Sequence, residues 1–158
     1  GDNANMTSVR NYFVAAITPS AADPGHSYGD LSWQAQNVSK IINGCNTSKQ
    51  GMDLDGLLPE EMRRGGPFSI PPAHTGYAWE GMQGIVVGAR VFERYGASIW
   101  NEANMAIYRA AFALQVRLEN AYGGWAASGE DLWQLMFIDH AYGSNFACNL
   151  ASDIWEHG

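Results

Sequence analysis

The stretch DGLLPEEMRRGGPFSIPPAHTGYAWEGMQG, Asp55 to Gly84, gathers most of the chemistry this chain can offer. Acids stand at Asp55, Glu60 and Glu61, arginines at Arg63 and Arg64, a histidine at His74 and a tyrosine at Tyr77. A guanidinium grips a carboxylate through two parallel hydrogen bonds. Imidazole titrates near neutral pH. A phenol titrates near pH 10, and a nearby arginine favours its ionised form. Together these groups bind an anion and move a proton. Each also has a plainer reading. Arg63 and Arg64 can pair with Glu60 and Glu61 on a solvated loop. Tyr77 can be a half-buried core residue, and His74 an exposed histidine in a proline-rich loop.

The net charge of −7 argues against a general nucleic-acid binder, which needs clustered Lys and Arg. An acidic ligand therefore requires a local positive patch, and Arg63-Arg64 with Lys49 upstream supplies one. No apolar run is long enough to cross a membrane. His26, His140 and His157 lack metal-ligand spacing, and nothing calls for a cofactor. Cys45 and Cys148 form no C-x-x-C pair, so they are either buried thiols or one disulfide across the chain. Sequons at Asn5, Asn37 and Asn46 and the polar opening at Gly1 suit a mature or trimmed fragment of a secreted protein.

The elements that must position these groups read as helices. Val9, Phe13, Ala16 and Ile17 have helical spacing within Asn3 to Ile17. Thr18 to Gly29 is a loop with Pro19 and Pro24. Leu31, Ala35, Val38, Ile41 and Ile42 predict a helix from Asp30, ended by Gly44. Gly51 to Gly76 is irregular, and Phe68 and Ile70 within it favour an ordered, functional loop. Helices follow over Trp79 to Tyr95 and Ser98 to Tyr122, stopped by Gly96 and Gly123-Gly124. Ser128 and Asp131 resemble a capping box before a last helix through Leu132, Leu135, Met136 and Ile138. The tail from Tyr142 to Gly158 reads as a loop and one short helix. The chain is thus a single all-α domain over 1–158, suited to α/α hairpins packed side by side.

DG-x-LP-x-E-x-x-RG, here Asp55 to Gly65, with the aromatic-containing loop and small-residue helix after it, resembles the alginate-lyase family of polysaccharide lyases. The likeness runs from Asp55 to about Gly96 and more loosely to Tyr142-Gly143, roughly the C-terminal half of such an enzyme. It implies α/α hairpins forming part of an incomplete toroid, secretion or export to a periplasm, and β-elimination on a uronate polymer. Counting back from Gly96 places the family's tyrosine at Tyr77. Counting forward from Arg64 reaches Pro71-Pro72, which implies an insertion and makes His74 a competing base. The family's asparagine-histidine pair corresponds to Asn3-Ala4-Asn5, with Asn5 in the histidine's place, or else lies upstream of Gly1.

On this reading Arg64 offsets the uronate charge, Asn3 adds a neutral donor, and Tyr77 or His74 transfers protons. Arg63, Glu61 and Asn5 contact substrate, and Trp79, Trp33 and Tyr28 are sugar-stacking platforms. Trp79 as a core residue and Asn3 as a helix cap are the plainer alternatives. A toroidal glycoside hydrolase would draw its carboxylates from Asp53, Asp55, Glu60 and Glu61. A non-catalytic carbohydrate-binding module, self-associating through exposed helix faces, is the third reading.

Overall fold

The computed structural model describes residues 3–18, 31–35 and 40–147. These residues are mostly helical. Helix α1 spans Asn3–Ile17 and buries Ala16 and Ile17. Strands β1 (Ser48–Lys49) and β2 (Met52–Asp53) form a minimal antiparallel hairpin, with Ser48 opposite Asp53. Helix α2 spans Pro59–Gly65 and opens on a proline, whose missing N–H would have no helical partner there. Helix α3 spans Tyr77–Arg94 and turns Ala78, Met82, Ile85, Val86, Ala89 and Phe92 into the core.

Helix α4 (Glu102–Phe112) runs through a π-helical stretch, Ala113–Leu118, into α5 (Glu119–Tyr122). The helix expected from Ser98 thus begins later, at Glu102, and contains one wider turn. Its first turn is left-handed at Ala103, Asn104 and Met105. A short 3₁₀ turn, Gly129–Asp131, leads into α6, Leu132–Tyr142. The capping box does not form: Ser128 makes no side-chain cap bond, and the Asp131 carboxylate accepts from Gln134 Nε2 at 3.1 Å. Gly143 closes α6 in the left-handed conformation.

Two sequence expectations need correction. The helix expected from Asp30 to Ile42 is irregular at every described residue, 31–35 and 40–44. Its polar groups are used elsewhere. Asn43 donates from Nδ2 to the Trp33 carbonyl at 3.1 Å and accepts from the Ala35 N–H at 3.2 Å. Lys40 Nζ donates to Ala15 O at 3.0 Å, and Ile41 N to Ala16 O at 3.2 Å, satisfying the free carbonyls at the end of α1. The Gly51–Gly76 segment, in turn, is ordered but contains β2 and α2. Of the tail, residues 148–158 lie outside the described residues, as does the Thr18–Gly29 loop beyond Thr18.

Helices α1 and α3 pack antiparallel. Arg10 donates to the carbonyls of Ala97, at 3.1 Å, and Ser98, at 3.2 Å, just past the end of α3. Further along, Phe13 meets Phe92 edge-on, with ring centroids 5.6 Å apart, and lies over Gly88. A Cβ on Gly88 would stand 3.1 Å from the Phe13 ring, so the glycine sets this close approach. Helix α2 lies across the start of α3 and forms the third wall of the region where the chemistry collects.

Candidate active site

The DG-x-LP-x-E-x-x-RG segment builds its own scaffold. Asp55 pairs with Arg109, and Arg117 reaches both Asp53 Oδ2, at 2.8 Å, and the Asp55 carbonyl. Gly56 has φ +77°, and a Cβ there would stand 2.3 Å from the Arg109 carbonyl oxygen. Only glycine lets this loop lie on α4. Leu58 and Pro59 are buried, and a Cβ on Gly65 would stand 2.6 Å from Ala73 O. Arg109 and Arg117 are the residues that sequence reasoning missed. Neither lies on the stripe of Ile107, Ala110, Leu114 and Leu118, so helical spacing does not point to them. Arg109 also donates to the carbonyls of Asn43, Ala103 and Asn104, which ties the left-handed turn to the Asp55 loop. Burial lowers the Arg117 pKa against the pull of Asp53 and Asp55.

On the outer face of α2 the acids and bases alternate in ion pairs. Arg63 grips Glu60 with two nitrogens, its Nε at 3.0 Å. Arg64 Nε lies 2.9 Å from Glu61 Oε2, and its Nη2 lies 3.8 Å from Glu60 Oε1. Burial raises the Glu61 carboxyl above its ordinary value, against the opposing charge of Arg64, while Glu60 and Glu80 push the same way as burial. Both arginines are exposed, as exchangeable ligand contacts require.

Arg64 and Tyr77 are brought together despite twelve intervening residues. The guanidinium carbon sits 5.0 Å from the centroid of the Tyr77 ring, a cation–π contact. Tyr77 is the first residue of α3 and is 47% exposed, and its N–H donates to Thr75 Oγ1 at 3.2 Å. Its hydroxyl has no protein partner among the described residues.

The other expected members of the site are placed elsewhere. His74 Nε2 bonds the Gly124 carbonyl, and its ring meets Trp125 edge-on at 5.3 Å. It therefore clamps the turn after α5 instead of facing Tyr77. Asn5 is exposed near the start of α1, and Asn3 opens that helix. Because α1 runs antiparallel to α3, both precede the Arg10 contact at the far end of α3 from Tyr77. Trp79 is 4% exposed and donates to Trp125 O at 2.8 Å, so its ring belongs to the core and offers no stacking surface. Trp33 is 1% exposed and is corrected in the same way, with its N–H bonded to Gly66 O at 2.9 Å. Lys49 is held by Ser32 O and the Phe68 ring, away from the arginine pair. Tyr28, His26 and His157 lie outside the described residues.

A cleft of about 320 Å³ is lined in part by Glu61, the acid that Arg64 pairs with, while Arg64 and Tyr77 themselves do not line it. Phe13, Ile41, Leu58 and Ile85 form its apolar walls, Gly81 and Gly84 its smooth side, and Glu60 and Glu61 its charged lip. Tyr77, Gly81, Gly84 and Gly88 share one face of α3 by their spacing, and Gly81 and Gly84 of that face line the cleft. Among the described residues no group of three or more His, Cys, Asp or Glu is placed to hold a metal, and no helix is long and apolar enough to cross a membrane. Comparison with family models, with curated proteins and with solved structures found no match for this chain.

Proposed function

We propose that this chain is part of a polysaccharide lyase of the alginate-lyase type, an arc of α/α hairpins from an incomplete toroid that cuts a uronate polymer by β-elimination. The observation that carries the reading is the exposed Arg64–Tyr77 pair. Arg64 exchanges Glu61 for the substrate carboxylate and offsets the charge that grows on it as the C5 proton leaves. Tyr77, as the base, takes that proton on its side-chain oxygen and returns it to the glycosidic oxygen as the C4–O bond breaks. A C4–C5 double bond remains, the base is regenerated, and no co-reactant is consumed. In this reading the protein works outside the cytosol, secreted or periplasmic, and the exposed Val87 and Val91 of α3, with Tyr95 just past its end, serve self-association.

A second reading has its own support. His74 and Asn5 do not join the pair, which suits a module that binds uronate without turning it over. The hydrolase reading is weakened, because Asp53 and Asp55 are held by Arg117 and Arg109. The test is incubation with a uronate polymer. Ultraviolet absorption from unsaturated ends supports the lyase. Binding without absorption supports the module, and new reducing ends without absorption support a hydrolase.

A further inference from the structure

We infer that two copies of this chain pair antiparallel along the outer face of α3, across a two-fold axis at Val87. This specifies the self-association contained in the proposed function and does not depend on the lyase chemistry.

The face has a seven-residue repeat. Glu80, Val87 and Arg94 recur at that interval along one line of α3, and Gly84 and Val91 recur along a second line beside it. All five are exposed. A strip with this repeat runs along the helix and suits a second helix packed close to parallel with its axis. Val87 and Val91 are 51% and 43% exposed, although α3 buries its other large apolar residues between Trp79 and Phe92. Val9 on α1, one turn before Phe13, is exposed too and widens the apolar surface beside Gly88.

The ends of the strip carry opposite charges. Arg90 and Glu93 of the same helix pair with each other, whereas Glu80 and Arg94 form no ion pair among the described residues. Glu80 instead adds to the negative charge acting on Glu61 and Asp131. Each charge complements the dipole at its own end of α3, which accounts for both signs but not for the exposed valines between them.

A two-fold axis at Val87 makes this strip its own complement. Glu80 and Arg94 both lie seven residues from the axis, about 10 Å along the helix, so each meets the opposite charge of the second copy. Val87 packs on Val87 of the second copy. Val91 arrives at Gly84 of the second copy, where a Cβ would meet nothing within 4 Å and the open backbone admits the valine. A parallel pair would set Glu80 on Glu80 and Arg94 on Arg94, like against like. The antiparallel pair also brings Tyr95 of each copy to the first turn of α3 in the other, the end that bears Tyr77.

Sedimentation equilibrium of the purified chain at about 0.15 M salt tests the pairing, since a Debye length of about 8 Å screens the net charge of −7 but spares contact pairs. The mass should rise with concentration from that of one chain toward that of two. Glu80→Arg and Arg94→Glu should each weaken pairing about tenfold or more, because each change strikes the interface twice. Mixing these two variants should restore it as a heterodimer with both pairs again opposite in sign. Val87→Arg puts like charges on the axis and should leave monomer. All three positions are exposed, so folding should survive, which circular dichroism checks. A monomer at every concentration overturns the inference. So does a dimer indifferent to both charge reversals, or a mixture in which neither variant rescues the other. Unsaturated product is read in parallel. Product from a monomer leaves the lyase standing and removes the pairing, and a dimer without product does the reverse.

Discussion

Arg64 is shared between Glu60, Glu61 and Tyr77, which makes it the residue on which the proposed function turns. It neutralises Glu61, lies over Tyr77 and is exposed enough to meet a ligand. Its planar fork can stack on the ring while donating sideways, and lysine cannot do both. Arg64→Lys should therefore weaken uronate binding even though the charge is kept. Tyr77→Phe removes only a hydroxyl that has no protein partner among the described residues, so the ring still stacks and the thermal midpoint should not move. If Tyr77 transfers the proton, the rate of unsaturated-product formation should fall by about a hundredfold to ten-thousandfold. His74→Ala should do the opposite, lowering stability by about 1 kcal/mol through the lost Gly124 contact and leaving most of the rate. Product kinetics and thermal unfolding of both variants, run side by side, separate these roles. A dead His74→Ala with an active Tyr77→Phe would exchange them.

At the scale of elements, the motif around Asp55 is explained more fully by packing than by chemistry. Gly56 combines a positive φ with contact against the α4 backbone, so Gly56→Ala meets both backbone strain and a collision with a carbonyl that cannot rotate away. A loss of about 3 kcal/mol is expected, a drop in thermal midpoint of roughly 10 °C in a chain of this size. A variant as stable as the parent would mean that the Asp55 loop does not rest on α4. The end of α5 depends on a different device. Glu119 accepts the N–H groups of Trp125, at 2.5 Å, and Ala126, at 2.8 Å. The Ala126 N–H first, then those of Trp125 and Gly124 and the charge of His74, hold its carboxyl below the ordinary value against the cost of burial. The folded state therefore binds this proton less readily than the unfolded chain. The stabilisation is complete above the unfolded pKa of about 4.3 and fades as pH falls through the lower folded value. Glu119→Gln should cost about 1–2 kcal/mol at neutral pH. Denaturant unfolding across pH should show the gap to the parent closing in acid. A gap that stayed constant down to about pH 2 would assign the loss to something other than this charge.

Across the whole molecule, what could be read from the sequence divides by range. Helix α3 and the Glu102–Tyr122 run follow from spacing and glycine stops, because each buries an apolar face along its own length, whereas α1 buries only Ala16 and Ile17 and leaves Val9 of its expected stripe exposed. Leu31, Trp33 and Ile42 are buried as their apolar character implies, yet the helix expected of them is absent, since Asn43, Lys40 and Ile41 make long-range bonds that no local pattern reveals. The site divides in the same way. The Arg64–Tyr77 contact was legible from a motif and a count along a helix, whereas the placement of His74 and Asn5 depends on which ends of α3 the neighbouring segments reach. The cysteines show the same limit. A bond between Cys45 and Cys148 would close a loop over most of the chain and add about 4–5 kcal/mol. Cys45 is instead a free, exposed thiol on the turn before β1, and Cys148 lies outside the described residues. Native, unreduced protein should therefore react quickly with a thiol reagent, and Cys45→Ser should remove that fast phase. Because no crosslink would be lost, reductant should leave the thermal midpoint unchanged, where a bonded chain would fall by roughly 10 °C or more. A Cys45 that resists labelling until reduction, together with that fall, would restore the bond and tie the turn before β1 to the C-terminal segment.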